Sequence, residues 1–166
     1  MKQALAMNDA APSIHIRLAH ADDDEFILAL AERFVAFELP PWRKRNETLA
    51  GIRADIARHL RDLPAASHLL VAEIEDGERC GFLHLQTQKD FFTGALNCHI
   101  SDLVVAPDFD GHGIGSAMLA HAERWAKEHR CRLVTLSVFP GNEHARKVYE
   151  RHGYGIELLR MAKLVK

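Results

Sequence analysis

The chain has 166 residues, 48% hydrophobic and 27% charged, so it can bury a core of ordinary size within one domain. A formal net charge of -2 argues against a general nucleic-acid binder, and no apolar run reaches the length of a transmembrane helix. The cysteines number three and form no CxxC pair, which favours the reducing cytoplasm over a disulfide framework.

The first half of the chain shows a strand pattern followed by two helix patterns. Residues 1–11 are predicted to form a flexible arm, and residues 12–166 a single domain. Apolar and polar residues alternate over 13–18, which indicates a strand. Aromatic and aliphatic residues at helical spacing predict a helix over 22–37, and a second helix over 46–63 ends before a proline.

The second half contains mostly strands. The expected elements are, in order, strands at 68–74, 80–88 and 96–105, a helix at 113–128, a strand at 133–138, a helix at 142–152, and one or two last strands at 156–165. The resulting order, β-α-α-β-β-β-α-β-α-β, predicts a mixed α/β sheet with helices on both faces.

The segment 103–116, LVVAPDFDGHGIGS, carries the most informative pattern. A buried strand runs into a glycine-rich loop, and the loop opens a helix whose first N–H groups have no internal partner. Together with the helix dipole, these groups favour a pyrophosphate. A Rossmann fingerprint needs glycine where Ser116 stands, and a P-loop needs a lysine before the Ser or Thr. A plain glycine turn is the remaining alternative.

A second motif, NEHARKVYERHGY, follows at 142–154. With the glycine loop it resembles the GNAT superfamily of N-acetyltransferases, which pairs a strand–Q/R-x-x-G-x-G/A–helix element with N-x-x-A-x-x-x-Y-x-x-x-G-F/Y. The positions that match the second half are Asn142, Ala145, Tyr149, Gly153 and Tyr154. The stretch 100–119 looks particularly like the branch that acetylates polyamines and small amines.

The resemblance implies a central, mostly antiparallel sheet with a splayed pair of parallel strands. It also implies acetyl-CoA as the acyl donor, with the pantetheine arm on the strand backbone and the pyrophosphate on the glycine loop, and no metal. The residues implied to bind this cosubstrate are Leu103, Val104, Val105, Asp110, Gly111, His112, Gly113, Ile114, Gly115, Ser116, Asn142 and Tyr149.

Asp110 departs from the resemblance, because the family usually has Gln or Arg at this position. A carboxylate beside a pyrophosphate is electrostatically unfavourable. Either the Asp110 side chain turns away and the backbone amides suffice, or the affinity for the cosubstrate is reduced. His112, Arg146 and Lys147 are available to compensate.

Acetyl transfer needs an amine that has lost its proton and an acid for the departing thiolate. Tyr149 occupies the family's tyrosine position and is the candidate acid. The candidate base is His99, because imidazole titrates near neutral pH. Asp102 and water are alternatives, and strand alternation places Asp102 on the face opposite His99. A backbone N–H of Val104 or Val105 is the candidate oxyanion donor.

The expected acceptor is the primary amine of a small molecule. The candidate walls of its pocket are Phe37, Trp42, Phe91 and Phe92. A second copy of the chain is a further expected partner, whereas nucleic acid, membrane and metal are not expected, since no His or Cys cluster has metal-ligand spacing. Two other functions stay open: a regulatory module that binds acyl-CoA without turnover, and an N-acetyltransferase acting on proteins or peptides.

Overall fold

The computed structural model describes residues 13–165, so the arm predicted at residues 1–11 lies outside the described part. The strands are β1 (Ile14–Leu18), β2 (Ser67–Ile74), β3 (Arg79–Lys89), β4 (Leu96–Val105) and β5 (Val134–Leu136). The helices are α1 (Asp24–Ala29), α2 (Arg45–Arg61), α3 (Ile114–Glu128) and α4 (Glu143–Arg151). Strands β1 to β4 pair antiparallel in chain order and β5 joins β4 in parallel, which confirms the predicted fold class.

The two faces of the sheet carry different helices. On one face, Phe82 of β3 meets the edge of Phe34, which follows α1, with ring centroids 6.4 Å apart. On the other face, the ring of His68 in β2 packs on the ring of Trp125 in α3, with ring centroids 5.0 Å apart. Because period-2 alternation sends neighbouring side chains to opposite faces, α1 and α2 cover one face and α3 the other. This arrangement confirms the prediction of helices on both faces.

Strand β4 has one residue more than the stretch of β3 that it pairs with. His84 lies opposite Asp102 and the next residue, Leu85, lies opposite Ile100, so Ser101 is an extra residue that forms a β-bulge. The alternation of side chains is reset at this point. Asp102 and His99 lie opposite His84 and Gln86, which share one face of β3. The prediction that Asp102 and His99 face opposite sides is therefore wrong.

The parallel pairing of β4 with β5 is short and ends just before the bulge. It covers Cys98–Ile100 of β4 and Val134–Leu136 of β5, whereas β4 itself continues to Val105. Over residues 101–105 the edge of β4 that faces away from β3 pairs with no strand of the described residues, and we call this the open stretch of β4. It corresponds to the splay that the family resemblance implied.

The prediction of one or two last strands at residues 156–165 is wrong. Residues 156–165 form no strand and donate no backbone hydrogen bond to another described residue. Ile156 is 77% exposed and Met161 is 90% exposed. The apolar pattern of this segment finds no partner strand within the single chain. The first predicted helix is also interrupted, since α1 gives way to 3-10 turns over Leu30–Val35. Among the described helices, none is both long and apolar enough to cross a membrane.

Candidate active site

The glycine loop forms a cradle of free backbone donors at the start of α3. Gly111 and Gly113 have φ angles of 77° and 76°, a left-handed conformation that side-chain-bearing residues rarely adopt. Backbone N–H groups in and after the loop donate to no described residue; they belong to Gly111, Gly113, Ile114, Gly115 and Ser116, and we call them the amide cradle. Free N–H groups at a helix N-terminus form a site for an anion such as a pyrophosphate.

Asp110 does not leave its charge unbalanced beside this cradle. Its Oδ1 lies 2.6 Å from Nη2 of Arg33, which follows α1 and is remote in sequence. The other N–H groups of the Arg33 guanidinium have no partner among the described residues. Arg33 therefore balances the charge of the carboxylate and keeps N–H donors that no described residue uses.

The other predicted cosubstrate residues are tied into the elements around the cradle. Ser116 Oγ lies 3.0 Å from Nε2 of His152, which joins the start of α3 to the end of α4. His112 donates from Nδ1 to the carbonyl oxygen of Asp110 at 2.9 Å. Asn142 caps α4, because its Oδ1 accepts from the backbone N–H of Ala145 at 3.3 Å. The Asn142 amide oxygen is thus already used by its own helix.

His99 lies at the edge of the open stretch and is half-buried. Its Nδ1 is 2.9 Å from Oγ1 of Thr135 on β5. Burial lowers the pKa of His99 below its usual value, and the carboxylate of Asp102 raises it in part. A neutral imidazole that donates from Nδ1 to Thr135 Oγ1 leaves Nε2 available to accept a proton.

Tyr149 lies on α4 and is also half-buried. Burial raises the pKa of its phenol, so the hydroxyl stays protonated at neutral pH, as an acid must. Its ring packs against Tyr154 with centroids 5.9 Å apart. Its hydroxyl has no hydrogen-bond partner among the described residues, and no hydrogen bond joins it to His99.

A set of buried polar side chains lies beneath Asp102 and was missed by the sequence reasoning. His84 Nδ1 is 2.9 Å from Asp102 Oδ2, and His84 Nε2 is 3.1 Å from Ser67 Oγ. Gln86 Nε2 bonds both Ser67 Oγ at 2.9 Å and His59 Nε2 at 3.2 Å. The available signal was the strand CGFLHLQ, in which two polar residues interrupt an apolar run on one face.

The predicted acceptor walls do not form one pocket in the single chain. Phe37 packs against Phe139, which follows β5, with centroids 5.9 Å apart, and Trp42 is 44% exposed. Phe91 is 93% exposed at the tip of the β3–β4 hairpin, where it contacts Phe92. That tip and the amide cradle lie at opposite ends of β4, roughly 30 Å apart for a strand of this length. Phe91 therefore encloses nothing near the cradle.

Within residues 13–165, no three His, Cys, Asp or Glu side chains converge as metal ligands.

Comparison with known proteins agrees with this geometry. The sequence model of the Acetyltransferase (GNAT) family matches residues 24–154. The aminoalkylphosphonate N-acetyltransferase of Salmonella typhimurium is 28% identical over 155 residues, covering 93% of this chain and 94% of that protein. An aminoglycoside N(6')-acetyltransferase type 1 of Stenotrophomonas maltophilia is 30% identical over 81 residues, covering 47% of this chain and 52% of that protein. The solved ribosomal-protein-alanine N-acetyltransferase of Brucella melitensis shares the fold, with a TM-score of 0.69, 20% identity, and coverage of 92% and 100%.

The shared face of His99 and Asp102 predicts a change in the titration of His99. Because the Asp102 carboxylate raises the pKa of His99, Asp102→Asn should lower that pKa further below its usual value. The measurement is the pH titration of the His99 ring by NMR, assigned with a variant that lacks His99. Asp110→Asn serves as the control and should leave the midpoint unchanged. An unmoved midpoint in Asp102→Asn would mean that the bulge does not turn Asp102 towards His99.

Proposed function

Because the chain belongs to the Acetyltransferase (GNAT) family, it is an acyltransferase that moves an acetyl group to an amine, and we propose that its acceptor is the primary amine of a small molecule. The observation that carries the proposal is the amide cradle at the end of the open stretch of β4. The cradle offers donors for a pyrophosphate, and the open stretch offers unpaired backbone for an extended pantetheine arm. Both features suit acetyl-CoA, which the family uses as its acyl donor.

The proposed transfer is a direct attack of the amine on the thioester. His99 Nε2 takes a proton from the acceptor ammonium, and the freed amine nitrogen bonds to the thioester carbonyl carbon. A backbone N–H of Val104 or Val105 donates to the carbonyl oxygen while that oxygen carries negative charge. The carbon–sulfur bond then breaks, the departing thiolate takes the phenol proton of Tyr149, and the attacking nitrogen releases its surplus proton to solvent, which leaves the neutral amide. The Tyr149 phenolate then takes a proton from solvent and the His99 imidazolium releases one to it, which restores the starting state.

A small acceptor is supported by the close packing of two loops, the one after β5 and the one before α2. A Cβ added at Gly141, after β5, would lie 2.1 Å from the carbonyl oxygen of Glu38, so the loop after β5 lies directly on the loop before α2. The contact between Phe37 and Phe139 joins the same two loops. Trp42, five residues after Phe37 in the sequence, stays a candidate wall. The relative from Salmonella typhimurium is named for a small aminoalkylphosphonate. A protein or peptide acceptor is the second candidate and would need a wider groove.

Assembly and location are also proposals. The segment 156–165 contains exposed apolar side chains, such as Leu158 at 71% and Leu159 at 77% exposure. Their exposure favours burial of this segment against a second copy of the chain. Sedimentation velocity would decide between monomer and homodimer. All three cysteines are free thiols, in keeping with the reducing cytoplasm.

We expect acetyl-CoA to bind and to raise the melting temperature of the protein. At a hundred times its dissociation constant, a ligand adds about 2.7 kcal/mol to the free energy of unfolding. Thiol release is then measured across aminoalkylphosphonates, aminoglycosides, polyamines and peptides. Release with one class of small amine is the expected result. Stabilisation without release would favour a regulatory module, and release with peptides alone would favour a protein acetyltransferase. No stabilisation by acetyl-CoA would contradict all three functions, because each of them requires acetyl-CoA to bind.

Arg33 is expected to contribute to acetyl-CoA affinity. Arg33→Ala removes a cation and leaves Asp110 unneutralised beside the pyrophosphate, so the dissociation constant should rise on the order of tenfold. Calorimetry compares this variant with the double variant Arg33→Ala/Asp110→Ala, which also removes the repelling carboxylate. The double variant should bind more tightly than Arg33→Ala alone. Equal affinity in the wild type and both variants would show that the ion pair lies away from the bound pyrophosphate.

Tyr149→Phe should lower kcat while hardly changing the affinity for acetyl-CoA, since Phe keeps the ring and removes the proton donor. A thiolate is a moderate leaving group, so the expected loss is about tenfold to a thousandfold. The matched control is Tyr154→Phe, because the buried Tyr154 hydroxyl has no hydrogen-bond partner within residues 13–165 and its ring neighbours Tyr149. Unchanged kcat in a stable Tyr149→Phe variant would mean that solvent protonates the thiolate.

A further inference from the structure

The buried polar side chains beneath Asp102 form one connected network of hydrogen bonds that branches at the amide of Gln86. The carbonyl oxygen of Asp55 can only accept, so His59 Nδ1, 2.9 Å away, carries the proton. His59 Nε2 then accepts from the Gln86 amide, and the Gln86 oxygen accepts from Ser101 Oγ at 3.0 Å. These partners fix which end of the Gln86 amide is the donor.

The second branch of the network leads from Gln86 to Asp102. Gln86 Nε2 donates to Ser67 Oγ, and the Ser67 hydroxyl has a proton of its own to donate to His84 Nε2. The Asp102 carboxylate can only accept, so His84 carries a proton on Nδ1 and donates it to Asp102 Oδ2. The partners at the two nitrogens of the His84 ring thus favour the same tautomer.

We propose that His84 is a positioning residue for the transfer, locked by Ser67 and Gln86 in the Nδ1–H tautomer so that it holds the Asp102 carboxylate towards the open stretch of β4. There Asp102 acts as the counter-ion for the proton that passes from the acceptor ammonium to His99. This role deepens the proposed function and rests on it. His84 itself touches neither the acceptor nor the acyl donor.

Burial supports a role beyond packing. The exposed fractions are 1% for His84, 3% for Ser67 and 5% for His59, whereas the Asp102 side chain is 13% exposed at the end of the chain. Buried polar groups stabilise a fold no better than well-packed apolar ones, so a core position filled by a polar network calls for another reason. Oδ1 of Asp102 accepts no hydrogen bond from a described residue, which leaves it for a cationic partner.

The charge of the pair also fits the reaction. A neutral imidazole donates a hydrogen bond without cancelling the charge of Asp102, so the site keeps one negative charge. The acceptor arrives as a cation, and the imidazolium of His99 is a cation once the proton has moved. Asp102 can stabilise the proton in both positions, and the carboxylate does raise the pKa of His99. The edge of the His59 ring meets the His84 ring with ring centroids 4.6 Å apart, so His84 is held in place from the α2 side as well.

The kinetic test compares His84→Leu, which fills the space without a donor, with His84→Asn, whose amide N–H can replace Nδ1. His84→Leu should lower kcat about tenfold to a hundredfold, as for residues that orient metal ligands, with acetyl-CoA affinity unchanged. His84→Asn should recover most of that loss. Adding His84→Leu to Asp102→Asn should cost nothing further, because His84 acts through Asp102. The control is His68→Leu, on the opposite face of the sheet.

Full activity in His84→Leu, no recovery in His84→Asn, or losses that multiply in the double variant would each overturn the proposal. A spectroscopic test applies even if His84→Leu does not fold or no acceptor is found. Nitrogen-15 NMR of the histidine rings should show His84 protonated on Nδ1 in the wild type, and Ser67→Ala should populate the other tautomer. A wild-type His84 protonated on Nε2 overturns the proposal whether or not the protein proves to acetylate amines.

Discussion

The extra residue at Ser101 is the constraint on which the candidate site depends. A β-bulge bends its strand and increases the local twist, and here it coincides with the point where β5 stops following β4. The same residue resets the alternation of side chains, so that His99 and Asp102 come to one face. One extra residue thus accompanies both the open stretch of β4 and the polar face beside it. A regular strand would provide neither feature at this position.

Local signals in the sequence predicted most of the fold. Glycine, proline and polar caps marked the ends of the strands and helices, and the glycine loop before α3 was recognised because its conformation is decided by Gly111 and Gly113 themselves. The prediction of the last strand was wrong because a strand depends on a partner elsewhere in the chain. An alternating apolar pattern specifies a strand only if another strand is present to pair with it, and residues 156–165 have none in the single chain.

The site was predicted less completely because its contacts join distant parts of the chain. The bulge exists only in the pairing of β3 with β4, so an alternation rule applied to β4 alone placed Asp102 on the wrong face. The partner of Asp110 is Arg33, and no local pattern links these two residues. His84 appears in the sequence as one polar residue in an apolar strand. Its hydrogen-bonding role depends on Ser67, which lies on the neighbouring strand β2.

Two carboxylates lie in or near the open stretch of β4, and they have different partners. Asp110 is paired with a guanidinium, which cancels its charge and leaves the amide cradle as the dominant, electropositive feature at that end. Asp102 instead accepts a hydrogen bond from the imidazole of His84, and in the proposed role of His84 this imidazole is a neutral donor that leaves the negative charge in place. Under the proposed function, the first end suits an anionic pyrophosphate and the second a cationic amine. The two substrates would then be drawn to opposite ends of one strand segment, with the thioester held between them, because each carboxylate has a partner of different charge.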